Sequence, residues 1–285
     1  MIVESPENSH FCSLIIGNPG EVAALSLRSL IRTNPSKVCI LVDQKGKFWI
    51  EEFVQNNFWE FCLHEIQDQN SWVLDDFDSD LNYEIFGSNK FFRLMYLKWV
   101  VIKECFAESE KSNYVVFTDL DVYWSRNISE SLRDFLQSDC LFALQNDSTV
   151  SRQYYCPGIM IWKKSSAGFK TLIDLMEFHR KQLIEDPHLP DDKAINRWLE
   201  LSSNRIYLYA LPSTIFIIGH RIYHLLLQKN EYELKTFIAF HANYCIGQDH
   251  KLNRMLAVEA FCKNYHLRYY SLFKVIALDL LRRIK

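Results

Sequence analysis

The sequence predicts an α/β fold with a Rossmann-like, mostly parallel sheet, helices on both of its faces and one additional subregion. Fully apolar strand-like runs alternate with helical segments in the first half of the chain, and such strands are typical of a parallel sheet that is covered on both sides. Only 8 of the 285 residues are Gly and 7 are Pro, which indicates long elements rather than many tight turns. We find no internal repeat and no Pro/Ser-rich linker, so a single main domain is expected.

The first half of the chain justifies this prediction element by element. The apolar run at 13–16 ends at Gly17, and the run at 38–42 ends at Asp43. A further apolar run at 114–118 ends at Asp119. Ligands of parallel α/β folds bind at the carboxyl ends of the strands, where these residues lie. The predicted elements are strands 13–16, 38–42, 58–66 and 114–118 and helices 21–31, 47–57 and 89–108.

The second half of the chain is less regular. Its predicted strands are 140–144, 158–162, 206–211 and 237–240, and its predicted helices are 165–184 and 191–199, with a helical tail beyond Leu252. We place the main domain at 1–252, divided into halves 1–124 and 125–252, and the tail at 253–285. The tail carries an apolar stripe with basic residues, which is typical of docking on the protein itself or of weak contact with a membrane surface.

Composition excludes several classes of protein. Apolar residues make up 48% and charged residues 24% of the chain, which excludes intrinsic disorder. A net charge of −3 favours no nucleic-acid partner. No apolar run approaches the roughly 18 residues of a membrane span, and the N-terminus lacks the basic start of a secretory signal. The 8 cysteines contain no CxxC pair, so we expect reduced thiols and a cytoplasmic protein.

The strongest chemical signal is the pair Asp119 and Asp121 in VVFTDLDVYW. Residues two apart in an extended segment point to the same side, so the end of a strand presents two carboxylates together. Two such oxygen ligands suit Mg²⁺ or Mn²⁺, which keeps open positions for phosphate oxygens. The alternative is a strand-end turn with two solvated acidic side chains. An acidic stretch at 76–82 imitates a calcium loop, but Leu81 stands where that loop needs Gly.

Three further segments carry residue types that fit the same chemistry. HANYCIGQDHK places His241, Gly247 and Lys251 in order, which can supply a metal ligand, a close backbone approach to phosphate and a cation. Asp191 and Asp192 open a helix, where acids either hold a reacting centre or satisfy the free N–H groups of the first turn. Lys90 and Arg93, one helical turn apart, can contact a diphosphate or remain on a solvated surface.

These motifs together resemble the GT-A-type, metal-dependent nucleotide-sugar glycosyltransferases, nearest the family seventy-seven type and more distantly family eight. VVFTDLDVYWSRN is similar to the strand, DxD and Trp segment of the family, and FFRL is similar to its donor-contacting helix. YYCPGIMIWKKS resembles its Asn-Ala-Gly strand, DDKAIN its Asp-Gln helix start, and HANYCIG…K its closing loop. The resemblance runs from Ser13 to Lys251 and implies a GT-A-like domain whose additional subregion faces the acceptor.

The resemblance implies specific roles for residues of this chain. The implied metal ligands, for Mn²⁺ or Mg²⁺, are Asp119, Asp121 and His241. The implied donor-binding residues are Ile16, Gly17, Asn18, Asp43, Lys90, Arg93, Asp119, Leu120, Gly247 and Lys251. The implied acceptor-side residues are Pro157, Gly158 and Trp162.

Two departures from the pattern of the family affect these roles. Cys156-Pro157 stands where the family has Asn-Ala, on the acceptor side, and Asp192 stands where the family has Gln. A carboxylate can deprotonate an acceptor hydroxyl, so we expect Asp191 or Asp192 to act as a general base in an inverting transfer.

The predicted function is transfer of a sugar from a nucleotide sugar, most commonly a UDP-sugar in this family, to a hydroxyl of an oligosaccharide or glycoconjugate. Two alternatives remain open at this point. One is a phosphatase of the haloacid-dehalogenase type, which also places DxD after a strand. The other is a protein of the same fold that binds a nucleotide or sugar without turnover.

Overall fold

A computed structural model describes residues 9–57, 61–66, 89–108, 112–147, 153–201, 204–219, 221–222, 236–243 and 247–263. The chain divides into two compact units, each assembled from separate segments. The first unit takes residues 1–19, 35–119 and 129–211, and the second takes 20–34, 120–128 and 212–285. The division of the sequence at residues 124/125 and 252/253 stays a prediction.

A mixed seven-stranded sheet forms the centre of the first unit. Its strands are β1 (Ser9–Ile15), β2 (Val38–Val42), β3 (Phe61–Glu65), β4 (Tyr114–Thr118), β6 (Phe142–Asn146), β7 (Tyr155–Lys163) and β8 (Leu208–Leu211). They lie in the order β3-β2-β1-β4-β7-β6-β8. Strands β1 to β4 are parallel to one another, β7 is antiparallel to β4 and β6, and β8 is parallel to β6. This mostly parallel sheet confirms the predicted fold class.

The first unit contains five α-helices, counted among the residues that the structure describes. They are α2 (Gln44–Asn57), α3 (Asn89–Glu108), α4 (Arg133–Gln137), α5 (Ser166–Glu185) and α6 (Asp191–Glu200). Helices α3, α5 and α6 share one large apolar core with side chains of β1, β2, β4, β6 and β7. The ring of Trp162 stacks on Phe142 within this core, with ring centroids 4.8 Å apart. Burying such aromatic surface provides much of the stabilisation of the unit.

The second unit contains a small sheet and two helices whose bounds lie within its described residues. Its strands β5 (Val122–Trp124), β9 (Phe216–Ile218) and β10 (Ala239–His241) lie in the order β5-β10-β9. Strand β10 is antiparallel to β5 and parallel to β9. Helices α1 (Gly20–Thr33) and α7 (Gln248–Lys263) pack together and form a core with Tyr123 and Phe240. Ser26 Oγ donates a hydrogen bond of 2.7 Å to the carbonyl of Val122, which fastens α1 to β5.

Most of the predicted elements are confirmed with shifted ends, and helix 89–108 and strand 114–118 have the predicted bounds. Residues 204–207, which we assigned in part to a strand, form a 3-10 helix that precedes β8. The tail beyond Lys263 and the acidic stretch at 76–82 lie outside the described residues. Of the helices described, none combines the length and the apolar character needed to span a membrane.

Candidate functional site

Asp119 lies directly after β4 in the first unit, where an antiparallel neighbour holds its backbone. All five residues of β4 are buried, so the strand ends where the first carboxylate reaches solvent. The N–H of Asp119 donates a hydrogen bond of 2.8 Å to the carbonyl of Gly158 in β7. The register between β6 and β7 shifts at Gln145, so that residues 157–159 of β7 pair with no residue of β6. Pro157 lacks an N–H group and is tolerated at such an irregularity.

A buried lysine neutralises Asp119. Lys98, on α3, is only 4% exposed, and its Nζ donates a hydrogen bond of 2.9 Å to Oδ2 of Asp119. The same Nζ lies 2.7 Å from Oδ2 of Asp191. Burial alone would lower the pKa of Lys98, but the charges of Asp119 and Asp191 outweigh it and raise the pKa above its ordinary value. One permanent cation therefore bridges two of the predicted functional carboxylates.

Asp191 and Asp192 stand side by side at the start of α6 but have different partners. The N–H of Asp192 donates a hydrogen bond of 3.0 Å to Oδ1 of Asp191, so Asp191 acts as an acceptor for the first turn while it pairs with Lys98. Oδ2 of Asp192 accepts a hydrogen bond of 2.7 Å from the hydroxyl of Tyr154. Burial and the charge of Asp191 raise the pKa of Asp192. A carboxyl group with a raised pKa is better matched to proton transfer near neutral pH.

Asn196 fixes this helix start on the sheet. Its amide group donates hydrogen bonds of 2.7 Å to the carbonyls of Tyr155 and Asp192, and its oxygen accepts one of 3.0 Å from the N–H of Tyr155. Tyr155 adjoins Tyr154, so the same contacts position the hydroxyl that reaches Asp192. The pair of Asp192 and Tyr154 is therefore held by the side chain of Asn196, which links α6 to the backbone of β7.

The predicted nucleotide-binding residues of the first unit gather where β1 and β2 end. Oδ1 of Asp43 accepts hydrogen bonds from the N–H groups of Gly17, at 3.0 Å, and Gly46, at 2.7 Å. Gly17 adopts a positive φ of 68°, which favours glycine. A Cβ at position 46 would lie 2.5 Å from the carbonyl oxygen of Ile15, so α2 begins in close contact with the end of β1. Asp43 thus caps α2 and shapes the turn after β1.

Asp121 is the centre of a buried charge cluster in the second unit. It is 9% exposed, and Nε2 of His241 lies 3.1 Å from its Oδ1. Nζ of Lys251 donates a hydrogen bond of 2.7 Å to its Oδ2. Burial alone would raise the pKa of Asp121, but Lys251 and His241 outweigh it and hold the pKa well below its ordinary value. The carboxylate is therefore charged throughout the physiological range.

Backbone pairing brings these residues of the second unit together. His241 lies opposite Val122 in the antiparallel pair of β10 and β5, and the N–H of Ala242 donates a hydrogen bond of 2.9 Å to the carbonyl of Asp121. Gly247, with a φ of 87°, precedes α7, whose first turn carries Lys251. The segment that carries His, Gly and Lys in this order thus brings the side chains of His241 and Lys251 to the carboxylate of Asp121.

The remaining predicted residues occupy varied positions. Arg93 is half-buried on α3, Ile16 is buried, Asn18 is exposed and Leu120 is half-buried. Lys90 lies in α3, but its side chain is outside the described part of the structure.

The predicted acceptor-side residues are less accessible than we expected. Pro157 and Gly158 are buried, and the carbonyl of Gly158 is used by Asp119. Trp162 is completely buried and stacked on Phe142 in the core, and the assignment of these residues to the acceptor side stays a prediction.

Sequence reasoning missed Lys98, Tyr154 and Asn196. A signal for Lys98 was present, because this lysine interrupts the apolar run MYLKWVVI on a buried helix. A charged residue in such a run requires a partner. Asn196 ends the DDKAIN motif, but its role and that of Tyr154 depend on which strand α6 packs against.

Comparison with known proteins identifies the family. The family of nucleotide-diphospho-sugar transferases matches residues 59–255. The chain belongs to this family. The matched range includes β4 and the Asp119–Asp121 segment, the start of α6 and strand β10, which ends at His241. The chain is therefore a glycosyltransferase by family. The comparison with curated proteins found no match.

Solved structures show the fold of this transferase. The apo form of mouse xyloside xylosyltransferase 1 is similar, with a TM-score of 0.55 at 11% identity, over 84% of this chain and 99% of that chain. The galactosyltransferase LgtC, solved in complex with donor and acceptor sugar analogs, has a TM-score of 0.57 at 9% identity, over 90% of this chain and 96% of that chain. These likenesses show the GT-A glycosyltransferase fold.

Proposed function

We propose that this protein is a metal-dependent glycosyltransferase that moves a sugar from a UDP-sugar to a hydroxyl of an oligosaccharide or glycoconjugate. The observation that carries the proposal is the Asp119-Leu120-Asp121 segment, because each of its carboxylates is held by a different cation. Lys98 holds Asp119, and Lys251 holds Asp121. Membership in the nucleotide-diphospho-sugar transferases favours this activity over a phosphatase.

We assign the divalent metal, Mn²⁺ or Mg²⁺, to Asp119, Asp121 and His241. Two carboxylates and one imidazole offer donor atoms that suit Mn²⁺, and the two aspartates are joined through a single residue of the chain. The bound metal would offset negative charge on the departing diphosphate. Lys251, which here donates to Asp121, is a cation that can serve the same diphosphate once the metal neutralises that carboxylate.

The donor nucleotide is assigned to the strand ends of the first unit. The turn Ile16-Gly17-Asn18 and the carboxylate of Asp43 lie where β1 and β2 end. Only Oδ1 of Asp43 is used by the N–H groups of Gly17 and Gly46, and the described residues place no hydrogen bond on its Oδ2. That oxygen can accept a hydrogen bond from a ribose or base. We assign three further residues to donor binding because of the motif alone: Lys90, Arg93 and Gly247.

We assign the role of general base to Asp192 rather than Asp191. Asp191 is committed to Lys98 and to the first turn of α6, whereas Asp192 has a raised pKa and accepts a hydrogen bond from Tyr154. As base, Asp192 takes the proton of the acceptor hydroxyl while that oxygen bonds to the anomeric carbon and the diphosphate leaves. A single displacement of this kind inverts the anomeric configuration. The tyrosine hydroxyl orients the carboxylate for that proton transfer.

A donor-hydrolysis assay tests the proposed function. Purified protein is incubated with a panel of UDP-sugars, each with and without Mn²⁺, and released UDP is measured together with the linkage of any product. We expect metal-dependent UDP release with one UDP-sugar and its loss in Asp121→Asn. An α-linked product from an α-linked donor would contradict the role of Asp192. Metal-dependent UDP binding without any turnover would instead identify a nucleotide-binding protein.

A further inference from the structure

Thiol groups form a row across three adjacent strands of the first unit. Cys12 of β1 is paired in register with Cys39 of β2, and Cys39 is paired in register with Cys62 of β3. In-register neighbours on parallel strands point to the same face of the sheet. Cys105 of α3 joins this row in the same apolar core. The described cysteines form no disulfide, so these groups are thiols.

Two imidazoles lie on the same face as the thiols. His10 is two residues before Cys12 and His64 is two residues after Cys62, and residues two apart in a strand share a face. Nε2 of His10 lies 2.9 Å from Sγ of Cys39, and Nε2 of His64 lies 3.6 Å from Sγ of Cys62. Two thiols of the row, Cys39 and Cys62, therefore each have an imidazole nitrogen beside them.

The donor atoms are close enough to share one ion. Nitrogen and sulfur atoms of His10, Cys39 and Cys105 lie within 4.8 Å of one another, and those of Cys39, Cys62 and His64 form a second such group. His10 is 4% exposed, and Cys39 and Cys105 are completely buried, whereas Cys62 and His64 are half-buried. Cys39 belongs to both groups, so the half-buried group offers a path by which an ion can reach the buried one.

Core packing accounts for the thiols, because a reduced cysteine packs as a small apolar side chain. The imidazoles add nitrogen donors beside those thiols, at His10 with Cys39 and at His64 with Cys62. Thiol and imidazole groups in contact are the donor types that soft metal ions prefer.

We propose that His10, Cys39 and Cys105 bind a soft metal ion, Zn²⁺ or Cu⁺, with Cys62 and His64 as the entry ligands. Thiolate and neutral imidazole are the preferred donors of these ions. Two thiolates neutralise the charge of Zn²⁺ completely, so the buried site carries no net charge. With Cu⁺ the same set retains one negative charge. The site lies on the first three strands and is distinct from the carboxylates assigned to Mn²⁺.

Titration with Co²⁺ under anaerobic, reducing conditions tests the proposal. Metal-free protein is titrated with Co²⁺, because thiolate ligands give Co²⁺ a sulfur-to-metal charge-transfer absorption that carboxylates do not give. We expect the absorption band to grow until Co²⁺ binding is stoichiometric. The band should then disappear when the bound Co²⁺ is displaced by Zn²⁺ in one arm of the experiment and by Cu⁺ in the other. The ion that displaces Co²⁺ at the lower concentration is assigned as the metal that this site binds. A protein that gives no band overturns the proposal and leaves the row as core packing.

Matched variants locate the site. Cys39→Ser keeps the size of the side chain and should abolish the band, whereas Cys262→Ser, in α7 of the second unit, should leave it unchanged. A band that persists in Cys39→Ser overturns the assignment. Asp121→Asn should retain the band, so this result is separate from success or failure of the proposed transferase activity.

A measurement on the unmodified protein covers the case in which Cys39→Ser does not fold. Binding of Zn²⁺ by two thiols at neutral pH should release about two protons per ion into weakly buffered solution. Binding without proton release overturns the thiolate assignment.

Discussion

The ammonium group of Lys98 lies 2.9 Å from Oδ2 of Asp119, although both the lysine and most of the carboxylate are removed from solvent. This pairing places a fixed positive charge beside the first carboxylate of the DxD segment. Because Nζ also reaches Asp191, one side chain sets the spacing between the strand end at β4 and the helix start at α6. Lys98 is therefore a positioning residue for both carboxylates.

Replacing Lys98 with Met should destabilise the protein by about 3 kcal/mol, because it leaves two largely buried carboxylates without their cation. Lys103→Met is the matched control, since Lys103 lies on the same helix but is only half-buried. Urea unfolding followed by circular dichroism measures the difference. If the two variants lose the same stability, the bridge between Asp119 and Asp191 is not what holds this part of the fold together.

Asp192→Asn should lower kcat by at least about 100-fold, because general-base catalysis contributes roughly 10² to 10⁴ in rate. The group works in its charged form and its pKa is raised, so activity should fall on the acid side at a higher pH than an ordinary aspartate would give. A pH–rate profile with the active UDP-sugar measures this limb. An unchanged kcat in Asp192→Asn would remove the residue from the reaction.

Tyr154→Phe should shift the acid limb of the pH–rate profile to a higher pH than in the parent protein. The hydrogen bond from Tyr154 favours the charged form of Asp192 and so lowers its pKa. Loss of that bond raises the pKa of Asp192, and the acid limb of the profile should shift to higher pH while activity on the alkaline plateau changes less. A variant with reduced activity and an unmoved limb would show that Tyr154 serves packing alone.

The long elements of the fold could be predicted from sequence, whereas the arrangement of the strands could not. Helix 89–108 and strand 114–118 are marked by strongly apolar patterns and by polar residues at their ends, and their bounds are confirmed. Strand β7 lies antiparallel between β4 and β6 through long-range pairing, which local periodicity does not encode. Strands β5 and β9 have three residues each, too few for a period to be read.

The candidate site likewise contains residues that could be predicted from the sequence and partners that could not. The acids at 119, 121, 191 and 192 could be found because each lies at or next to the end of a regular element. Their partners depend on packing: the interpretation of Lys98 needs the position of α3 over the sheet, and that of Tyr154 needs the contact of α6 with β7. The burial of Trp162 also depends on packing, since the motif match that assigned it to the acceptor side did not indicate that the core surrounds its side chain.

His179 should make the protein less stable as the pH falls. It is completely buried, and its Nδ1 accepts a hydrogen bond of 2.7 Å from Nε1 of Trp99. Burial lowers the pKa of His179 from 6.5 to about 4. The unfolded chain therefore takes up a proton as the pH falls below about 6.5, while the folded protein does not until about pH 4, which removes about 3 kcal/mol over that window.

His179→Gln tests this dependence, because the amide oxygen can accept the same hydrogen bond and the side chain does not titrate. Its stability should fall less steeply between pH 7 and pH 4.5 than that of the parent protein. The exposed His188→Gln is the control and should follow the parent. Identical slopes in the parent and in His179→Gln would assign the acid sensitivity to other groups.

Asp121→Asn should abolish the metal-dependent part of nucleotide binding. In the parent protein, UDP with Mn²⁺ at 100 times its Kd should add about 2.7 kcal/mol of stability, which a thermal-shift measurement detects. Asparagine keeps the size of the side chain but removes the charge that Lys251 and His241 now face. The exposed Asp139→Asn should retain the full shift.

If Asp121→Asn also retains the full shift, the metal is held elsewhere. If UDP shifts the parent equally without Mn²⁺, nucleotide binding does not depend on a metal. Only a shift that needs both Mn²⁺ and the carboxylate of Asp121 is consistent with the proposed transferase site.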